Sequence, residues 1–108
     1  MGKGSRKAPH FYLNSFLTLL LGGFIYSGMI GKGADYNNYT SNGQYVFDTW
    51  DATGSNYPFI NGYGVAFVYN NEKLIYQICF DFDAGRIAFR RYARSNLTWS
   101  AWRIIPRA

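Results

Sequence analysis

The sequence predicts a mainly β protein, a small antiparallel β meander or sandwich, and three observations carry that prediction. Aromatic residues make up 20% of the 108 residues, with ten Tyr, nine Phe and three Trp, and aromatic and β-branched side chains favour strands. Twelve Gly stand beside nine Asn, the residue types that tight turns need. From Gly33 onward apolar residues alternate with polar ones in segments bounded by turn residues, and no helix-length period follows residue 33.

The elements follow in chain order. Residues 1–10 carry Lys3, Arg6 and Lys7 with no acid, and residues 11–30 carry no charge at all. Asn14, Ser15, Thr18 and Gly22 share one helical face, with Leu13, Phe16, Leu17, Leu20, Leu21 and Phe24 at the other positions. Gly22-Gly23 ends a short helix near Leu21, and Phe24–Ile30 reads as extended. A basic flank before an apolar run of about 20 residues also fits a signal sequence or membrane anchor. Both readings stand at this level: a helix plus strand packed on neighbouring chains, or a segment inserted in lipid.

After Gly33 the strands are expected at Gln44–Trp50, Gly64–Tyr69, Leu74–Phe82, Arg86–Tyr92 and Trp99–Ile105, the last stopped by Pro106. Alternation puts Leu74, Tyr76, Ile78, Phe80 and Phe82 on one face and Gln77, Cys79 and Asp81 on the other. Turn chemistry lies at Ser41-Asn42-Gly43, Asn70-Asn71, Asp83-Ala84-Gly85 and Ser95-Asn96. In a continuous last strand, Trp99 and Trp102 point to opposite faces. The division is residues 1–32, a basic leader with an apolar oligomerisation or docking segment, and residues 33–108, a β-rich knob.

Composition narrows the function. One Cys forms no internal disulfide, and one His, at position 10, leaves no His-based triad inside the β segment. No cofactor and no metal are expected. Asp81 and Asp83 are spaced for a carboxylate pair, yet each also reads as a solvent-facing acid beside a turn. Cys79 reads as a packed strand residue. The formal charge of +5 hides a polarity: an acidic middle, and a tail from Arg86 with six Arg and no acid. Alternation splits Arg90 from Arg91 onto opposite faces, which breaks a basic stripe and argues against nucleic acid as a partner. Planar aromatics beside Asn, Asp and Arg suit a glycan better. The loop Asp51–Tyr63 offers both, though Tyr57 and Phe59 equally suit a plug for the core.

Several motifs in order carry a resemblance. They are Gly33-Ala34-Asp35-Tyr36-Asn37-Asn38, Gly43-Gln44-Tyr45, Asn56-Tyr57-Pro58, Gly64–Val68, Gln77, Ile87-Ala88-Phe89-Arg90 and Trp99-Ser100-Ala101-Trp102. Through them residues 33–108, about 70% of the chain, resemble the pyocin-knob type of module found in phage tail fibres and fibre-like bacteriocins. Phe89 and the charged hairpin Arg90–Arg94 depart from the pattern, which bears on the ligand rather than the fold. The resemblance implies a non-enzymatic, homotrimeric tail or head fibre part of a virion, engaged in host attachment. Leu17, Leu20, Leu21 and Phe24 are then the candidate oligomerisation residues, and the N-terminal segment docks on other virion proteins. Tyr57, Phe59, Tyr63, Arg90 and Trp102 are the candidate ligand contacts, with a host surface polysaccharide as the ligand. The other reading is a membrane-anchored or secreted bacterial surface protein with a glycan-binding β domain.

Overall fold

The computed structural model describes residues 26–106. Seven strands form one mixed sheet: β1 (Tyr26–Ile30), β2 (Gly43–Asp48), β3 (Tyr63–Asn70), β4 (Leu74–Asp81), β5 (Arg86–Ala93), β6 (Thr98–Trp99) and β7 (Arg103–Ile105). The order is β1-β2-β3-β4-β5-β6, and β7 also pairs with β5. β2 through β6 run as an antiparallel meander. Of the two expected arrangements, meander and sandwich, the described sheet is the meander.

β1 lies in the segment expected to be extended and pairs in parallel with β2, Tyr26 beside Gln44 and Ile30 beside Phe47. It joins the sheet ahead of Gly33, and Ile30 is a core residue. The expected helix, and Leu17, Leu20, Leu21 and Phe24 with it, lie outside the described residues. β1 enters at the Gly43 end of the sheet, whereas β7 places Ile105 beside Ile87, near the Arg86 end. The described chain therefore enters and leaves at opposite ends of the strands.

Turn residues close the hairpins as their chemistry dictates. Asn71 Oδ1 accepts from the N–H groups of Lys73 and Leu74, both at 2.8 Å, which fixes the β3–β4 turn. Gly85, at φ +69°, supplies the left-handed residue of the β4–β5 turn, and its N–H donates to the Asp81 carbonyl.

Alternation sorts β4 into two faces. Ile75, Gln77, Cys79 and Asp81 are buried, while Leu74, Ile78 and Phe80 are only half-buried and Tyr76 is exposed. The first face is covered by the segments 31–41 and 49–62. These two segments are zipped together: Thr53 and Gly54 donate to the Lys32 carbonyl, Ser55 to Ala34, and Tyr36 back to Ser55. A Cβ on Gly54 would fall on the Ala34 carbonyl oxygen, so the approach requires Gly there. Beneath this cover lie Ile30, Tyr36, Phe47, Phe59, Val68 and Cys79. The opposite face has no cover among the described residues.

The last strand differs from expectation. It is not continuous over Trp99–Ile105; the chain leaves the ladder between Trp99 and Arg103. Ser100 bridges the break, its N–H donating to the Arg91 carbonyl and its Oγ accepting from the Arg91 N–H. Two-residue alternation therefore does not apply across Trp99 and Trp102, with consequences for both side chains.

Candidate functional site

The motif residues scattered through the sequence meet at one polar node over the covered face. Gln77 Nε2 donates to the carbonyls of Tyr36 and Tyr39, at 2.7 and 2.9 Å, and its Oε1 accepts from Arg90 Nε at 2.7 Å. The Arg90 guanidinium carbon lies 3.9 Å from the Trp99 ring centre and 4.6 Å from that of Trp102. Both tryptophans thus turn to one arginine rather than to opposite faces, because the break at Ser100–Trp102 resets the alternation. Trp102 Nε1 donates to the Asn56 carbonyl at 2.9 Å, and Asn56 Nδ2 donates to Asp35 Oδ1 at 2.8 Å. Asp35 also accepts from the Asn37 N–H at 2.9 Å and caps the short turn Tyr36–Asn38. The Asn56 bond, then that of Asn37, holds the Asp35 carboxyl below its ordinary pKa.

Arg90 is 5% exposed. Burial lowers its pKa to about 10, so it stays charged at neutral pH. Two flat π faces and a carbonyl oxygen replace its water. Its Nη2 is buried without a partner among the described residues. Arg90 thus stacks on Trp102 and does not pair with Asp81, which is taken by Arg86, whose Nε lies 2.7 Å from Asp81 Oδ2.

Asp81 is 2% exposed. Burial works against its charge, but bonds from Arg86 and from the N–H groups of Asp83 and Tyr63 outweigh it and lower its pKa. Asp83 is exposed at the turn. Asp81 is thus occupied by Arg86 and by backbone, so Asp81 and Asp83 do not form a pair of free carboxylates. Burial pushes the Cys79 thiol far up, where it is unreactive. Among the described residues no three of His, Cys, Asp and Glu converge to hold a metal.

The other expected ligand contacts part company. Phe59, 3% exposed, stacks on Phe47 with ring centres 6.1 Å apart and has the Arg86 guanidinium over its ring at 4.5 Å. Tyr57 is half-buried against the same core. Of the two readings of this loop, the plug is the one these side chains fill. Tyr63 is 46% exposed at the start of β3, and Trp102 sits half-buried with Arg90. No single pocket brings the five residues together among the described pockets.

The open face gathers a different set. Register lines up Met29, Val46, Val65, Phe80, Ile87 and Ile105 in one row, and Gln44, Phe67, Ile78, Phe89 and Arg103 in the next. Phe67 packs edge-on to Phe80 at 5.7 Å and Tyr69 stacks on Tyr76 at 6.4 Å. Met29, Val46, Ile87, Phe89 and Ile105 remain substantially exposed. The result is an apolar surface running across six strands.

No protein-family profile matches the chain, and no curated protein matches it either. Solved structures do. An N-truncated R2-type pyocin tail fibre is 26% identical with a TM-score of 0.61, over 71% of this chain and 31% of that one. A C-terminal fragment of the R2 pyocin fibre of P. aeruginosa is 24% identical with a TM-score of 0.64, over 76% of this chain and 22% of that one. The β domain is pyocin fibre-like, and the chain spans under a third of either fibre fragment.

Proposed function

We propose that this protein is a homotrimeric fibre-type structural protein of a virion, non-enzymatic, whose β knob serves attachment to the host cell surface or to the particle. The observation that carries the reading is the open apolar face beside a tail-fibre fold. Nothing among the described residues covers this face, and an apolar surface that runs across a sheet marks a contact site. Further copies of the same chain are the occupants a fibre supplies, and a closed ring of them removes the β2–β4 part of this face from solvent. The contact is centred on β2, β3 and β4, where Val46, Val65, Ile78 and Phe80 lie. It stops at Arg91 and Arg103 on the same face, because burying a guanidinium without an acid costs several kcal/mol.

Light scattering of the full chain without detergent tests the reading. A trimer that falls to monomer in the Val46→Lys/Phe80→Lys variant supports it. A monomer at every concentration, or a chain soluble only in detergent, overturns it.

A further inference from the structure

Where β5 faces the break between β6 and β7, the sheet opens into a cleft of about 310 Å³ lined by Tyr76, Phe89, Arg90, Arg91, Ser100 and Arg103. Three arginines border it. The ion pairs among the described residues are Lys32–Asp48 and Arg86–Asp81, so none of the three meets a carboxylate. Arg91 and Arg103 hold their side chains on the open face without a hydrogen-bond partner among the described residues: Arg91 stands opposite Tyr76 and Arg103 opposite Phe89. This places the two residues diagonally across neighbouring strands, about 7–8 Å apart at the backbone, with both side chains on one face. Like charges so placed repel one another, and an anion between them relieves that repulsion. The Arg90 side chain turns to the covered face, between Trp99 and Trp102, so the charges that face the cleft are those of Arg91 and Arg103.

The aromatic half of the cleft decides what kind of anion fits. Tyr76 and Phe89 are each over a third exposed and border the arginines. A flat ring beside a guanidinium matches a sugar ring that bears an acidic group, the apolar face on the ring and the oxygens on Arg. A nucleic acid needs a basic groove that follows its backbone. Here the basic patch is confined to one cleft, on a described domain that also carries six acidic side chains.

We infer that this cleft binds an anionic saccharide, a sugar carrying a carboxylate or a phosphate, through Arg91 and Arg103 with Tyr76 and Phe89 as the stacking floor. The inference rests on the attachment role proposed above for its biological partner. The two fail separately, since native mass decides the trimer and the binding assay below decides the cleft.

The experiment is isothermal titration of the full chain with oligogalacturonate for the carboxylate arm and glucose 1-phosphate for the phosphate arm. Neutral dextran, polyglutamate and single-stranded DNA are the controls. Binding in either arm is expected to weaken at least ten-fold in the Arg91→Gln/Arg103→Gln variant and to fall with added salt. Both residues are exposed, so the variant should keep its melting temperature. Which arm binds more tightly identifies the acidic group. No binding in either arm, equal binding by the variant, or equal binding of dextran, polyglutamate or DNA overturns the inference.

Discussion

On the covered face the strands present Gln77, Asp81 and Arg90 among their apolar side chains, while on the open face β3 and β4 present Val65, Phe67, Ile78 and Phe80. In β4 the more polar side is the one sealed from water. The cover explains this inversion. It is built of loops, whose carbonyl and N–H groups lack ladder partners and must be satisfied from beneath. Gln77 answers Tyr36 and Tyr39, Asp81 answers Tyr63 and Asp83, and Thr49 Oγ1 accepts from the Gly62 N–H at 2.8 Å. The open face has no loops over it among the described residues, and β3 and β4 fill it with Val65, Phe67, Ile78 and Phe80 beside the arginines of β5 and β7. Polarity beneath a loop cover therefore marks intramolecular closure, and the subunit contact proposed above falls on the apolar side.

The largest test of this contrast is Gln77→Leu. It strips the Tyr39 carbonyl of its donor, leaves the Tyr36 carbonyl with the Tyr39 N–H alone and takes the acceptor from buried Arg90, so chemical denaturation should show a loss of about 3–5 kcal/mol. Adding Arg90→Met should recover part of the loss, because the stranded charge is gone; a second substitution that merely adds to the first would break the argument. Next comes Asp81→Asn, with an expected loss of about 1–3 kcal/mol at pH 7. The depressed pKa of Asp81 means that its contribution is complete above the unfolded carboxylate value of about 3.9. The contribution fades as pH falls through the lower, folded value. Stability measured from pH 7 downward should decline less steeply in the variant than in the parent.

A position on neither face gives a scale. Leu97, in the β5–β6 turn, is exposed and held at φ +58°, so Leu97→Gly should gain about 0.5–1 kcal/mol in thermal melts. The smallest effect belongs to the open face. Val46→Lys should change the stability of a single folded chain by less than about 0.5 kcal/mol, while the native mass drops. A large loss of single-chain stability would mean that this face is already closed within one copy.

The strands were legible because alternation and turn residues are local signals: Asn70-Asn71 and Asp83-Ala84-Gly85 mark the hairpins that form. Alternation also divided β4 into its two faces correctly. Which face is sealed was not legible, because the cover comes from segments 31–41 and 49–62, brought in by long-range backbone bonds that leave no periodic trace. The split of Arg90 from Arg91 followed from the two-residue period, and the structure buries one and exposes the other. The convergence of Trp99 and Trp102 did not, since the break at Ser100 suspends that period. Nor was Arg103 distinguishable from the other tail arginines until its pairing with Phe89 placed it on the rim. The acid-free run from Arg86 onward was the available signal.

The opposed entry and exit of the chain has a mechanical consequence. A pull on β1 from its N-terminal side and on β7 from its C-terminal side drags β1 lengthwise along β2. In that direction the bonds between the two strands resist together, in shear, instead of opening one after another as in a zipper. Tension applied between these two ends would then meet this domain in its toughest orientation, while a sideways tug on a hairpin tip would peel it with far less force.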